Sequence, residues 1–575
     1  MTVSHNDCLC RTLHPLSLAS WLVLSLLLPG VVHAADVDAG SLQQQIERNQ
    51  ILKLPRQMAP LLPKPIATTP SAGLKIFVKR FQIEGNTLLD DATLGALLER
   101  YQGRELSFSE IENLIAELAA LFREAGWTVQ VYLPEQDIKD GVIVIQVVQA
   151  RLGKVVIDGE VPKPATPEGL KALIQAHQTS GEYLSAKAVD RALLIADDIS
   201  GVYVNGNLKE GEAQAETDLV LKAMPKPRFE GNATTDNTGS RGTGVNRLLL
   251  NLNFNSVINN GDAVNTNFIE TKASRYTRMG WSVPVGNDGL RVGASTSHLS
   301  YSVLQFQETV APTGTADTTG VEASYPLLRS RTQNIYVSFA IDEKRFQNYS
   351  EGQIKSNYSN RPKSLGVYGN SFDDWAGGGA NTGSLTFVNG FLNLDQSPNA
   401  PEIAVTTQTA GAYRKIRYAL SRQQFLTSNW YLYGSLSGQV SRAGKNLDSS
   451  EKFYLGGSSG VRAYPSSEAG GGKGVMGNIE LRWQPDARLM LAGFYDIGHV
   501  VMYPAKNLQD VTALNQYSLK GAGFSAAWQF DNGAALKVIW ARRIGDNPNA
   551  NIETGKDLDG SLVRTRLWTS FNLPF

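Results

Sequence analysis

Leu248-Leu249-Leu250-Asn251-Leu252-Asn253-Phe254-Asn255 decides the fold. In an extended chain Leu248, Leu250, Leu252 and Phe254 fall on one side, and Leu249, Asn251, Asn253 and Asn255 on the other. A period of two is that of a strand with one apolar and one wet face. The pattern returns further on. Trp430, Leu432, Leu436 and Val440 alternate with Tyr431, Tyr433, Ser435 and Gln439; Ile479, Leu481 and Trp483 with Asn478, Glu480 and Arg482; Phe524, Ala526, Trp528 and Phe530 with Ser525, Ala527 and Gln529. The final segment puts Leu567, Thr569, Phe571, Leu573 and Phe575 on one face. From residue 226 to 575 helical periodicity is absent, and polar Gly/Asn/Asp-rich stretches separate the segments, some short (531–533) and some long (502–518, 545–561). A soluble β-sandwich also alternates. A run of this length with aromatics crowding the segment ends fits a membrane barrel better, because in hydrocarbon only a closed barrel pairs every strand's backbone groups.

Composition points the same way. The 575 residues carry 54 Lys+Arg and 54 Asp+Glu, a formal net charge of zero, so nucleic acid is not an expected partner. Charged residues are 19%, against about 25% in soluble proteins. The 54 glycines, 20 Tyr and 20 Phe suit many strands. Residues 1–34 read as a secretory signal peptide: Arg11 gives a positive start, 16–28 an apolar run too short to span a bilayer, and Val32-His33-Ala34 a small-residue cleavage pattern. Cys8 and Cys10 both precede that run, so the mature chain is expected to lack cysteine, and with it disulfides, thiol catalysis and thiolate zinc sites. His177, His298 and His499 remain, far apart, and no metal or cofactor is expected.

Between signal and barrel, residues 41–53 show a polar helix with Ser41 as N-cap and a thin apolar stripe of Leu42, Ile46 and Leu52. Such a helix cannot anchor a core; it must sit in a polar setting or dock into a cavity. Prolines 55, 60, 63, 65 and 70 make 55–73 an extended linker. Two small α+β units follow, at 74–150 and 151–225. The first reads as strand 76–83, helices 92–100 and 110–124 stopped by Gly126, then strands 129–133 and 142–148. The second repeats this β-α-α-β-β order with strand 152–157, helices 168–176 and 186–196, and strands 202–205 and 219–223.

Three stretches carry a resemblance. Gly456-Gly457-Ser458-Ser459-Gly460-Val461-Arg462-Ala463-Tyr464-Pro465 with Glu468-Ala469, then Phe494-Tyr495-Asp496-Ile497-Gly498, then the alternation ending at Phe575, resemble the two-partner secretion transporters of the haemolysin secretion/activation type (TpsB; ShlB/FhaC/HecB). The likeness covers nearly the whole mature chain. It implies a mixed fold: two polypeptide-transport-associated (POTRA) domains in the periplasm, then an antiparallel barrel of about sixteen strands (226–575) in outer-membrane lipid. It also implies a plug helix at 35–54, with Leu42, Ile46 and Arg48 as candidate contacts, and a loop, 456–474, folded into the pore. Gly456, Gly457, Gly460, Val461, Arg462, Ala463 and Tyr464 form the loop motif, and Phe494, Asp496 and Gly498 the strand motif. The family contact is Arg462 with Asp496, and Phe571, Leu573 and Phe575 become the signal read by the barrel assembly machinery. The implied function is export, without ATP, of a large TpsA-type exoprotein (a haemolysin, adhesin or contact-dependent toxin), and its activation. The chain departs from the family pattern where Gly470-Gly471-Gly472-Lys473 follows Glu468-Ala469, and in having Gln149-Ala150 between the POTRA units.

Asp496 shares parity with Ala492, Phe494 and Gly498, while Leu489, Leu491, Tyr495 and Ile497 take the other, more apolar face, so Asp496 should point into the lumen. If the glycine-rich loop folds inward, Arg462 can meet it through two parallel hydrogen bonds, expected as a partly hydrated pair worth about 1–3 kcal/mol. Three other readings compete with export. The same superfamily holds barrel insertases, generally with more POTRA repeats. Gly456-x-Ser458-x-Gly460 with Asp496 and His499 matches a hydrolase elbow, but no helix is expected after Ser458 and the partners have opposite parity. A nutrient porin needs no tandem periplasmic arm.

Overall fold

The computed structural model describes residues 37–48, 54, 75–138, 140–258, 261–304, 310–442, 444–505 and 514–575. The expected signal peptide, the linker 55–73 and residues 35–36 and 49–53 of the expected plug helix lie outside them.

Helix α1 is Ala39–Arg48. Its cap is Asp38 rather than Ser41: the Ser41 N–H donates to Asp38 Oδ1 at 2.9 Å. The thin stripe does find a cavity. Leu42 and Ile46 pack on Tyr276, Leu299, Tyr301 and Phe346 of the barrel's inner wall.

The first α+β unit holds β1 (Lys75–Val78), β2 (Arg80–Glu84), α2 (Asp91–Leu98), β3 (Arg104–Ser107), α3 (Phe108–Ala125), β4 (Val129–Tyr132) and β5 (Val142–Gln149). The strand expected over 76–83 is therefore two. β1 pairs with β3, while β2 lies parallel to β5, which pairs antiparallel with β4. Sequence reasoning missed β3 because its four residues hold one apolar side chain, Leu106, too little to show a period. Ser107 ends β3 and caps α3: its hydroxyl accepts from the Glu110 N–H while Glu110 reaches back to the Ser107 N–H, a capping box. Those bonds from Ser107 hold the Glu110 carboxyl below the usual carboxylate range. Gly126 ends α3 with φ 100°, a left-handed conformation that glycine adopts without cost.

The second unit runs β6 (Arg151–Ile157), α4 (Pro167–His177), α5 (Ala186–Asp197), β7 (Val202–Glu210) and β8 (Glu216–Pro225), in the order read from sequence, with sheet order β6-β8-β7. Its buried Leu170, Ile174, Val189, Leu193, Val204 and Leu221 form one core. The α5 region fastens the unit to turns of the barrel. Asp190 pairs with Arg331 at 2.9 Å, Arg191 with Asp288 at 3.0 Å, and Asp198 with Arg329 at 2.8 Å.

The remaining chain closes into an antiparallel barrel of sixteen strands. Segments Gln353–Asn360 and Lys363–Asp373 both pair with Gln333–Ser350, in line, and are one strand interrupted at Arg361-Pro362. Pro362 has no N–H for the ladder, yet its carbonyl accepts from the Asp342 N–H at 3.1 Å. Phe229–Asp236 meets Thr565–Pro574, which removes the free edges. Leu248, Trp430, Leu436, Val440, Ile479 and Phe524 are exposed on the outer face, as a lipid-facing surface requires. Gln439, Glu480 and Asp496 are buried on the inner side.

Candidate functional site

The site is a loop held inside the barrel. Phe453–Tyr454 pairs with Gly470–Gly471 at its base. Above that base the chain turns too tightly for side chains: a Cβ on Gly456 would lie 2.0 Å from the Pro465 carbonyl oxygen, and one on Gly460 2.0 Å from that of Leu455. Val461, Ala463 and Tyr464 are fully buried, and with Leu455 they form an apolar foot on Phe494, Leu519 and Trp568 of the inner wall. Gly498 leaves room for that foot, since a Cβ there would come within 2.8 Å of Leu455 Cδ2.

Arg462 projects from the foot. Its Nε donates to Asp496 Oδ2 at 2.9 Å and its Nη2 to Asp496 Oδ1 at 2.7 Å, the two-pronged geometry that suits a carboxylate. Its Nη1 donates to Glu480 Oε1 at 2.7 Å, and its backbone N–H to Asp496 Oδ2 at 3.0 Å. The guanidinium lies 3.4 Å from the centre of the Phe494 ring. The Arg462 carbonyl accepts from Trp568 Nε1 at 2.8 Å. Asn478 donates to Asp496 at 2.6 Å and Arg482 to Glu480 at 2.8 Å, so two guanidiniums face two carboxylates.

This differs from the expected partly hydrated pair. Arg462 is 5% exposed and Asp496 0%. The apolar foot excludes water from the pair, and the charges are compensated by protein alone. Glu480, Asn478, Arg482 and Trp568 were not among the sequence candidates. Asn478, Glu480 and Arg482 did carry a signal, alternating inward between Ile479, Leu481 and Trp483; only the register Asn478↔Asp496 says whom they meet.

Helix α1 occupies the same lumen. Glu47 pairs with Lys344 at 2.8 Å, Gln43 donates to Thr318 Oγ1 at 2.6 Å, and the Ala39 N–H donates to Asn348 Oδ1 at 2.9 Å. Arg48 reaches the loop itself, donating to the carbonyls of Tyr454, of Gly456 at 3.3 Å and of Ser459 at 3.2 Å. Helix α1 and the inward loop are thus in direct contact.

The hydrolase constellation is not assembled. Both Asp496 oxygens are engaged by Arg462, His499 bonds Ser518 at 3.0 Å, and turns rather than a helix follow Ser458. At the C-terminus Phe571, Leu573 and Phe575 are exposed on the outer face. The Phe575 backbone exchanges two 2.9 Å hydrogen bonds with Gly231, and its ring centre lies 5.8 Å from that of Phe229.

Known proteins share this organisation. The family model for haemolysin secretion/activation protein ShlB/FhaC/HecB matches residues 215–524, and that for the ShlB-type POTRA domain matches 76–150. The heme/hemopexin transporter protein HuxB of Haemophilus influenzae is 24% identical over 552 residues, which cover 92% of this chain and 96% of that protein. The outer membrane transporter CdiB of Dickeya dadantii is 22% identical over 414 residues, covering 71% of this chain and 72% of its own. The structure of CdiB from Escherichia coli superposes with a TM-score of 0.67 at 18% identity, covering 90% of this chain and 94% of that one. The first family model spans more than half of the sequence, and the chain belongs to the ShlB/FhaC/HecB family of two-partner secretion transporters, outer-membrane β-barrels with periplasmic POTRA domains.

Proposed function

We propose that the barrel passes an unfolded partner exoprotein from periplasm to cell surface without ATP. One observation carries the reading. The lumen of a closed barrel is filled by a helix and a loop that side-chain contacts hold in place, and such fillings can be withdrawn. The POTRA units meet the partner first; β2 and β7 stand at the edges of their sheets, where an extended segment can add as a further strand. Folding at the cell surface then prevents return. The cargo class is a haemolysin, adhesin or contact-dependent toxin, and activation during passage is part of the same reading. Deleting the transporter from its host is expected to remove one large secreted protein and leave other outer-membrane barrels at normal abundance. A general fall in barrel proteins would instead establish an insertase.

Assembly of the barrel rests, in the same reading, on recognition of the outward Phe571, Leu573 and Phe575 by the barrel assembly machinery. Removing Phe575 also takes away its paired bonds to Gly231 and its ring from Phe229. Heat-modifiable barrel in outer-membrane fractions is expected to fall several-fold. Normal insertion would strip the terminal residue of this role.

A further inference from the structure

Two cavities lie one above the other beneath α1. One, of about 850 Å³, opens between the second POTRA unit and the barrel mouth, with Pro164, Leu170 and Tyr203 on one side and Arg329 and Tyr336 on the other. The second, of about 690 Å³, reaches up to Glu47, Arg48 and Ser459. They share Ser282, Arg291, Ser324 and Tyr368, so one passage runs from the periplasmic end to the underside of the plug. Its upper wall mixes small side chains, Ser338, Ala340, Ser384, Thr386 and Ser437, with the larger Tyr368, Tyr418 and Phe453.

The charges of the upper chamber are unbalanced. Arg48, Arg291 and Arg417 line it. Among the described residues Arg48 bonds only to backbone carbonyls. Arg291 bonds to the carbonyls of Gly261 and Ser282 and to the Ser282 hydroxyl. Arg417 makes no hydrogen bond or salt bridge among the described residues; the nearby Glu451, whose charge it feels, is bonded by Lys415 instead. Of the two acids in the lining, Glu47 is held by Lys344, which leaves Glu322. Three guanidiniums with no hydrogen-bonded carboxylate among the described residues thus line the chamber, with Asp198 and Asp262 near Arg291 and Glu451 near Arg417.

The geometry points to this chamber as a receptor for a carboxylate-bearing extended segment of the cargo, caught at Arg417, which draws Arg48 off the loop and releases α1. A carboxylate meets a guanidinium through two parallel charge-assisted hydrogen bonds, a geometry that a single carbonyl oxygen does not offer. An arriving Asp or Glu therefore competes with the carbonyls of Tyr454, Gly456 and Ser459 for Arg48. Cargo docking then precedes plug release, and the plug yields to acidic sequence in particular. The inference rests on the export reading above.

The test uses the full-length protein in liposomes with Gln44→Cys as reporter. Gln44 is 5% exposed while α1 is seated, and the only native cysteines are Cys8 and Cys10 in the expected signal peptide. Labelling by a membrane-impermeant maleimide reads helix release. A blocked Gly-Asp repeat hexapeptide at millimolar concentration is expected to raise the labelling rate about tenfold over the Gly-Asn repeat. Arg417→Gln should abolish the difference and Arg417→Lys should keep part of it, with heat-modifiability confirming a folded barrel in each. Equal labelling by the two peptides, or a full acidic response in R417Q, overturns the inference. Normal secretion by R417Q, beside lost secretion on deleting the transporter, also overturns it and leaves export standing; secretion that survives the deletion removes the export reading itself.

Discussion

Arg462→Ala is expected to cut secretion of the partner protein by at least about tenfold while the barrel stays folded in the outer membrane. The substitution strands two carboxylates. Among the described residues Asp496, fully buried, keeps the amide of Asn478 and the backbone N–H of residue 462, and Glu480 keeps its bond from Arg482 and the nearby charge of Lys537. Removing one partner of a buried pair costs about 3–5 kcal/mol, because the remaining charge has no water to turn to. That cost falls on the loop's seating and not on the strand ladders, whose backbone bonds do not involve the side chain. The loop is therefore displaced and the barrel remains. Arg462→Lys should restore little, since an ammonium cannot span Asp496 and Glu480 with a planar fork. Cargo in culture supernatant measures secretion, and heat-modifiable mobility measures the barrel. Unchanged secretion would remove the loop from the mechanism; equal loss of both would make Arg462 a folding residue.

The sequence made some of this site readable and hid the rest for identifiable reasons. Strand alternation is local, so the outward face of Leu248, Ile479 and Phe524 and the lumenal side of Asp496 follow from immediate neighbours. Cross-strand partners are not local. Glu480 reaches Arg462 because two strands pair with Asn478 opposite Asp496, and Trp568 because the barrel closes a strand 106 residues away against the loop. Hydration is not local either. A loop arginine is solvated by default, and only the burial of Val461, Ala463 and Tyr464 against the wall shows that water is kept from this one. The helix cap failed differently. Asp38 and Ser41 are both good capping residues three positions apart, and the choice is made by the lumen, where Ser449 also donates to Asp38 at 2.7 Å. β3 was lost to its own brevity.

Deleting residues 39–48 is expected to raise single-channel conductance in planar bilayers several-fold. A helix of this length is about 15 Å long and, with side chains, about 10–12 Å across. In the lumen it stands between the passage below and the extracellular side, with Glu47 and Arg48 as the ceiling of the upper chamber. Its contacts are few and specific, so graded variants are informative. Lys344→Ala leaves Glu47 without its cation and should make the helix leave more often, giving frequent transitions to the conductance of the deletion. Arg48→Ala loses the three carbonyls of the loop and should act the same way. Because Arg48 ties the helix to the loop that Arg462 locks, the two elements should not behave independently. The deletion combined with Arg462→Ala should depart from additivity, as residues of one contact network do, typically by 0.5–3 kcal/mol. Conductance that does not change on deletion would refute the plug, and strict additivity would refute the coupling while leaving the plug in place.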